Sequence, residues 1–506
     1  MAPLLEADRG PHVSAAPSPE PYLVLIRLGG DIAIKARETR RRFTTRLARN
    51  LKDALRQNKL NAHIVRSHDR IRIESTEPLP AELFARVMGV QSASPSRRHL
   101  VGDLDEVVAR GVEHFSDLVR DRTFAVRARR VGNRTEIPFR SGDVKRDLGA
   151  ALLPMARGVD LDHPDVQVHV ELMHNSACYF SETLPGPGGL PIGVEGRALA
   201  LVSGGFDSAV AAWQMMKRGV ALDYLFCNLG GQTHQLGTLR VIQHIARHWS
   251  HGTSPRFHSV DFDAVSQDLQ TKVASRYRQV VLKRLMLTAA ERVASEIGAI
   301  ALVTGDAVGQ VSSQTLQNMA VISEATRFPI LRPLVGMNKD EILAIARRIE
   351  TFELSKVVGE YCALVPKKPA TAASSEAIRA EESHLSSGLV EGAVDQRSVL
   401  DLRSLDLEAL EIPELETETV SPASTVIDLR PRAAFENWHY PDALSLDFAK
   451  ALRAYPHFSR DAHYVVYCEF GLQSAHLVEQ MRREGFDALH FKGGAPALLR
   501  WQRKQL

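Results

Sequence analysis

The sequence predicts an α/β protein of several domains, the largest of them a doubly wound parallel sheet. Three observations carry that expectation. The 506 residues exceed what a single core holds, at roughly 100–200 residues per domain. From residue 198 to 303 short apolar runs alternate with helical spacing, the pattern of a parallel sheet. Two segments of different composition bracket that region: PGPGGLP at 185–191, and a stretch from Cys362 to Ala434 that holds no Phe, Tyr or Trp.

Composition is that of a globular protein, 44% hydrophobic and 24% charged. There is no run of about 18 apolar residues to suggest a membrane span. Residues 1–20 hold Pro, Ser and acidic side chains but no apolar h-region. They read as a disordered extension, not a secretory leader, so the expected location is the cytoplasm. The net charge of +3 hides an uneven distribution. Basic residues crowd into 35–49 (KARETRRRFTTRLAR) and 127–146, acidic ones into 401–419, which points to a polyanion partner for the front of the chain. Cys178, Cys227, Cys362 and Cys468 stand far apart, without zinc-ligand spacing. In a reducing compartment each is a small core residue or a reactive thiol.

Taken in order, YLVLIRL at 22–28 reads as a strand, and 38–57 as a helix with Phe43, Leu47, Leu51 and Leu55 on one face. Residues 62–65 and 70–73 read as a hairpin. This β-α-β-β start predicts a small ferredoxin-like module over 21–78. A second α/β block follows over 79–184, with strands at 124–130 and 166–173 and a helix at 143–157. After the Gly/Pro linker come strands at 198–202, 224–229, 257–262 and 299–303, with helices at 207–218, 237–248 and 272–297, in a domain placed at 185–365. Residues 366–420 read as a mobile linker with a weak helix. A last α/β block occupies 421–506.

The strongest motif is Ser203-Gly204-Gly205-Phe206-Asp207-Ser208, directly after an apolar strand and opening a helix. Small residues let backbone N–H groups turn toward a phosphate, and the helix N-terminus adds a favourable dipole. No GxxxxGK[ST] is present, so this is not a Walker A loop. SGGFDS resembles the PP-loop of ATP pyrophosphatases. That resemblance implies an ATP site in which Asp207 helps bind or activate the nucleotide with Mg²⁺. Ligands of open α/β sheets lie beyond the carboxyl ends of the strands. Leu201 and Val202 should therefore line the nucleotide, with Phe226 and Cys227 beside the adenine, Lys283 near a phosphate, and Gly305 and Gln314 closing the site. Cys227 is equally readable as a core thiol at a strand end.

Further segments widen the match. Asn228-Leu229-Gly230-Gly231 precedes His234, residues 304–316 read TGDAVGQVSSQTL, and Arg332-Pro333-Leu334 precedes Lys339. With SGGFDS these resemble the tRNA 4-thiouridine synthetase (tRNA uracil 4-sulfurtransferase) family, over nearly all of residues 22–506. The resemblance implies a ferredoxin-like domain and a THUMP domain that grip tRNA, here through Lys35, Arg127, Arg129, Arg130, Lys145 and Arg146. Phosphate contacts by such residues carry no sequence information, and a solvated basic face is the plainer reading of the same charges. Lys339 matches a family lysine near the active site and is otherwise a surface residue at a helix start. Asp306 stands where members often have Glu, and KARE at 35–38 differs from a common KGKN version.

The last block carries a second likeness. VIDLR at 426–430, with Phe435, His439 and Ala443, resembles the start of a rhodanese domain, and YVVYCEFGLQSAHLVEQMRREGFDALHF at 464–491 continues it. Cys468 ends a strand and opens a loop followed by a helix, a setting that favours a thiolate or persulfide anion. Glu469 and Gln473 stand where many rhodaneses have cations, so a protein persulfide donor such as a cysteine desulfurase is expected in place of thiosulfate. Cys362, beside Lys367-Lys368-Pro369, is a loop cysteine that the family pattern makes the partner of Cys468.

The resemblance implies attack of a uridine O4, at position 8 of tRNA, on ATP, followed by sulfur delivery from Cys468 directly or as released sulfide. Asp207, Lys339, Cys362 and Cys468 would be the catalytic set, and a Cys362–Cys468 disulfide would be reset by a reductant. Family members with the rhodanese extension also feed sulfur to a carrier protein for thiamine thiazole synthesis. The alternative is a PP-loop ligase acting on a small molecule, which needs neither a basic front nor a persulfide domain.

Overall fold

The structure, a computed structural model, describes residues 22–67, 70–131, 137, 139–358, 368–407, 415–469 and 471–505. The extension expected over residues 1–20 lies outside them. The chain divides into two compact units between Gly188 and Gly189.

The first unit is one continuous sheet, in the spatial order His63–Arg66, Arg70–Ser75, Tyr22–Leu28, Val90–Leu100, Ser176–Phe180, Val166–Met173, Thr123–Arg130, Gly158–Val159. The helix Arg37–Gln57 buries Phe43, Leu47, Leu51 and Leu55, the four residues its spacing marked. The boundary expected at residue 78 falls too early. Val90–Leu100 pairs with Tyr22–Leu28 along most of its length (Ile26 opposite Ala93, Val24 opposite Pro95) and then with Ser176–Phe180. The sequence hid this strand because QSASPSRRHL is polar and holds a proline, which weakens a strand reading. The expected helix at 143–157 runs only over Ser141–Leu152, with Pro154 in the 3-10 turn that ends it.

One face of this sheet is covered by the helices Leu104–Val119 and Ser141–Leu152 over a core that includes Phe115, Phe124, Leu148 and Val168. Alternate residues point to the other face. There the Glu171 side chain, 3% exposed, takes Arg27 at 3.0 Å and Arg70 at 3.3 Å, with Arg129 at 3.8 Å. This buried cluster ties the first two modules together across the sheet.

In the second unit the central sheet runs Ile330–Leu331, Leu302–Val303, Arg197–Leu201, Ala221–Asn228, Arg256–Asp261, Ser398–Asp401. The first five strands are parallel, as expected of a doubly wound fold, and the last is antiparallel. The helix expected at 272–297 begins only at Arg278 and runs to Ile297, and a helix not expected, Asp263–Lys272, precedes it across the turn Ser275–Tyr277. The Arg278 guanidinium caps the break, donating to the carbonyls of Val273 at 2.9 Å and Gln270 at 2.6 Å.

Most of the segment expected as a mobile linker at 366–420 is folded into the domains on either side. Helices Ser375–Glu382 and Leu389–Asp395 and the strand Ser398–Asp401 belong to the nucleotide domain. Ala373, Ile378, Val390 and Val394 are buried in the same core as Ala289, Ala290 and Val293 of the helix Arg278–Ile297. Arg284 clamps Glu382 at 2.6 and 3.0 Å. Small side chains on that helix let short helices pack closely, so no aromatic anchor is needed. The last domain is a parallel sheet ordered Glu416–Thr417, Asp487–Phe491, His463–Tyr467, Thr425–Asp428, Leu444–Ser445. Its first strand therefore lies inside the segment read as linker. No helix among the described residues is long and apolar enough to cross a membrane.

Glu171→Ala leaves the buried Arg70 and the half-buried Arg27 guanidinium groups without their counter-charge and should cost about 3–5 kcal/mol in the first unit. Reduced hydrogen-exchange protection of Tyr22–Leu28 and Val166–Met173 would register it; unchanged protection would contradict the role given to the cluster. Burial works to raise the Glu171 carboxyl, but Arg27, Arg70 and Arg129 outweigh it and hold it below its usual range. The cluster's contribution is thus present above about pH 4.3 and is lost as the pH falls through the lower, folded-state value.

Candidate nucleotide and sulfur-transfer sites

The strand Arg197–Leu201 ends at the cavity, and Ser203–Gly205 turn the chain into the helix Phe206–Lys217. Gly204 has φ +77°, and a Cβ there would lie 2.7 Å from Val358 and 2.8 Å from the Thr238 hydroxyl. Gly305, after the strand Leu302–Val303, is pressed against the same turn: a Cβ on it would lie 2.8 Å from the Asp207 carbonyl carbon and 2.8 Å from the Ser208 nitrogen. Ser208 Oγ accepts from the Ser203 N–H at 3.4 Å and donates to the Gly205 carbonyl at 3.1 Å. The helix end is left open toward the cavity, where its N–H groups and dipole favour an anion.

The cavity holds about 260 Å³ and is lined by Leu201, Val202, Ser203, Asp207 and Ser208 from the first strand and its turn, and by Phe226 and Cys227 from the second. Lys283, Gly305 and Gln314 complete the expected residues that line it. Gly204 and Gly205 shape the turn. Burial pushes the Cys227 thiol well above its ordinary value.

Two carboxylates organise the charge. Asp306 takes Lys283 at 2.9 Å, Thr304 at 2.8 Å, Gln314 at 3.2 Å and Arg332 at 3.4 Å. Burial works to raise its pKa, but Lys283, Thr304 and Arg332 outweigh that and hold it at about 2. Two cations thus share one carboxylate at the wall. Asp207 takes Lys339 at 2.9 and 3.1 Å and Gln310 at 2.8 Å. Lys339 is the first residue of its helix, fixed there by a capping box between Asn338 and Glu341. A cation at a helix N-terminus opposes the dipole, and Asp207 offsets it. On the opposite wall His234 bonds the Ser203 carbonyl at 3.2 Å and meets the Phe226 ring edge-on at 4.9 Å. Burial lowers its pKa to about 4, against that hydrogen bond, so the ring is neutral at pH 7.

Cys468 follows the strand His463–Tyr467 and precedes the helix Leu472–Arg483. Its Sγ accepts from the Gly471 N–H at 3.1 Å and from the Ser474 hydroxyl at 3.5 Å. Gly494 packs against this loop, where a Cβ would meet the carbonyls of Cys468 and Glu469 at 2.6 and 2.5 Å. Below it Asp428 binds Arg430 at 2.8 Å and the Tyr467 hydroxyl at 2.6 Å, and Glu469 faces Arg430 at 3.9 Å. Cys362 lies outside the described residues. Cys178 is in the core of the first unit, its thiol pushed up by burial to about 12.

The basic residues of the first unit are not one cluster. Arg127 and Arg129 point to the face of the sheet that carries Glu171, whereas Lys145 and Arg146 stand on the helix Ser141–Leu152 that covers the other face. Lys35 and Lys145 are exposed, Arg130 is half-buried, and Arg146 is engaged by Asp147 at 2.6 Å.

Curated relatives cover almost the whole chain. A tRNA sulfurtransferase of Desulfurococcus amylolyticus is 36% identical over 477 residues, 93% of this chain and 97% of that protein. One from Shewanella amazonensis is 32% identical over 478 residues, 92% and 98%. The chain belongs to the tRNA sulfurtransferase family. Within it, residues 193–386 match the model described as thiamine biosynthesis protein (ThiI), 23–94 the ThiI ferredoxin-like domain, 103–181 the THUMP domain and 412–500 the rhodanese-like domain. A crystal structure of a 4-thiouridine synthetase–RNA complex with bound ATP superposes with a TM-score of 0.66 at 28% identity, covering 75% of this chain and 99% of that one.

The fold also brings to this tRNA sulfurtransferase-family cavity Asp306, Arg332 and His234, which belong to segments quoted above, together with Met286 and Leu287, which no motif named. Met286 and Leu287 had a readable signal, since they lie one turn from Lys283 on the same helix face. The pairing of Arg332 with Asp306 spans separate strand ends and had none. Gly305→Ala should push the phosphate turn aside and weaken ATP binding at least about tenfold with folding retained, as titration calorimetry and thermal melting would report. Wild-type affinity would contradict the tight approach.

Proposed function

We propose that this tRNA sulfurtransferase-family chain uses ATP to activate a tRNA uridine and replaces its O4 with sulfur carried on Cys468. The observation that carries the reading is the pairing, in one compact unit, of an open phosphate turn edged by Lys283, Arg332 and Lys339 with a cysteine held in a loop of N–H and O–H donors.

The triphosphate lies on the turn Ser203–Ser208, where backbone amides and the helix end receive the pyrophosphate portion. Phe226, Cys227 and the apolar side of the helix Arg278–Ile297 flank the adenine. Lys283 and Arg332 stabilise negative charge that shifts onto the leaving pyrophosphate. Among the described residues no group of three or more His, Cys, Asp or Glu is arranged for a metal ion. Mg²⁺ would come with the nucleotide, held by its phosphates and the Asp207 carboxylate, and would neutralise phosphate charge. Asp207 and Lys339 hold each other at the α-phosphate end.

Uridine O4 attacks the α-phosphorus and the bond to pyrophosphate breaks, leaving an adenylated base. The terminal sulfur of the Cys468 persulfide attacks C4 and AMP leaves. Cys362 thiolate then attacks the Cys468 sulfur, freeing 4-thiouridine and forming a Cys362–Cys468 disulfide, which a two-electron thiol reductant resets. Because Arg430 is already matched by Asp428 and Glu469, the loop offers little to anionic thiosulfate, and a cysteine desulfurase is the donor. Arg127, Arg129, Arg130, Lys35, Lys145 and Arg146 contribute phosphate contacts to the tRNA. The reaction belongs in the cytoplasm, and the same persulfide serves a sulfur-carrier protein of thiamine thiazole synthesis.

Asp207→Asn should reduce tRNA-dependent pyrophosphate release by about a hundredfold or more. Cys468→Ala should keep that release while abolishing 4-thiouridine with a desulfurase as donor, measured by nucleoside analysis. Undiminished thiolation by Cys468→Ala would remove Cys468 from the scheme.

A further inference from the structure

The helix that begins at the Cys468 loop reaches beyond its own domain. Along Leu472–Arg483, His476 and Glu479 meet the nucleotide domain at the N-terminus of Gly231–Trp249, and Arg483 reaches Asp263 at the start of the helix Asp263–Lys272. Both carboxylate oxygens of Glu479 accept from the Gln232 N–H, at 3.2 and 2.9 Å. That helix end has N–H groups without intrahelical partners and a dipole that favours an anion. Arg483 bridges Glu479 at 2.7 Å and Asp263 at 3.5 Å. His476 hydrogen-bonds the Gly230 backbone and lies near His234. Gly231 has φ +69°, and a Cβ on it would stand 2.2 Å from a Glu479 oxygen, so only glycine lets the carboxylate seat.

Two things make this more than a surface contact. Glu479 is buried, and a buried carboxylate that loses its partners is strongly destabilising, so the contact is made with its full geometry or not at all. The helix also links the two chemistries. Ser474, which touches the Cys468 sulfur, is two residues from His476, roughly 3 Å of helix rise. His234, on the other side of the junction, lines the nucleotide cavity.

We propose that Glu479 and Arg483 form a latch that docks the rhodanese-like domain on the nucleotide domain and presents the Cys468 loop beside the nucleotide cavity for sulfur transfer. The proposal rests on the sulfur-transfer reading above. Both are positioning residues: neither touches the nucleotide cavity lining nor the reacting sulfur.

The test uses the full chain. Glu479→Ala should speed amide exchange at Gly231–His234, leave tRNA-dependent pyrophosphate release and desulfurase loading of Cys468 unchanged, and slow single-turnover 4-thiouridine formation at least tenfold. Arg483→Glu should slow the same step, and adding Asp263→Lys should restore most of it, which a merely structural role would not do. Unchanged exchange and unchanged sulfur transfer would overturn the latch, as would equal loss of pyrophosphate release. Absence of thiolation in the wild-type chain, with exchange still sensitive to Glu479, would instead overturn the sulfur-transfer reading and leave the docking contact standing.

Discussion

The nucleotide cavity depends on two backbones meeting with no side chain between them. Gly305, just past one strand, lies against the start of the helix that follows the neighbouring strand, at the point where the sheet order reverses direction. Everything charged is arranged around that approach. It leaves the turn after Leu201 open to solvent while the carboxylates on either side are held apart by their own lysines, Asp207 by Lys339 and Asp306 by Lys283. A β-carbon at Gly305 would run into the backbone of Asp207 and Ser208, and one at Gly204 into Val358 and Thr238, so either would push the turn out of shape.

The Cys468 loop lies in a different domain from this cavity, yet one helix spans the two. A single helix carries Ser474 at the Cys468 sulfur and His476, Glu479 and Arg483 at the nucleotide domain. Residues 374–402, which sequence composition presents as a tether, are packed into the nucleotide domain's core and sheet and cannot swing. On the latch proposed above, approach of the Cys468 loop to the nucleotide cavity depends on how the rhodanese-like domain docks, through helix polarity at Glu479 and the Arg483–Asp263 ion pair.

Local chemistry was legible in the sequence and long-range pairing was not. SGGFDS announces itself because its spacing marks a small-residue turn between one strand and one helix, although Asp207 finds its partners Lys339 and Gln310 far along the chain. The cavity residues at strand ends follow from the topology of a parallel sheet. By contrast, the Asp306–Arg332 pairing joins strand ends that sequence spacing does not relate, and Val90–Leu100 pairs two modules with a polar, proline-containing strand. Ala373, Ile378, Val390 and Val394 escaped notice because they bury against alanines, and a core of small residues leaves no aromatic signal. The six basic side chains read as one RNA grip stand on both faces of the sheet, since alternation along a strand and coverage by a helix distribute them.

The central claim is that activation by ATP and sulfur held on Cys468 are consumed together at one uridine. The most direct measurement is a single turnover with ³⁵S-persulfide-loaded protein, ATP and unmodified tRNA, following label in 4-thiouridine together with AMP and pyrophosphate. The account predicts that label enters tRNA only with ATP, with equimolar 4-thiouridine, AMP and pyrophosphate. Label entering tRNA without ATP cleavage, or pyrophosphate released while the label stays on the protein, would contradict it.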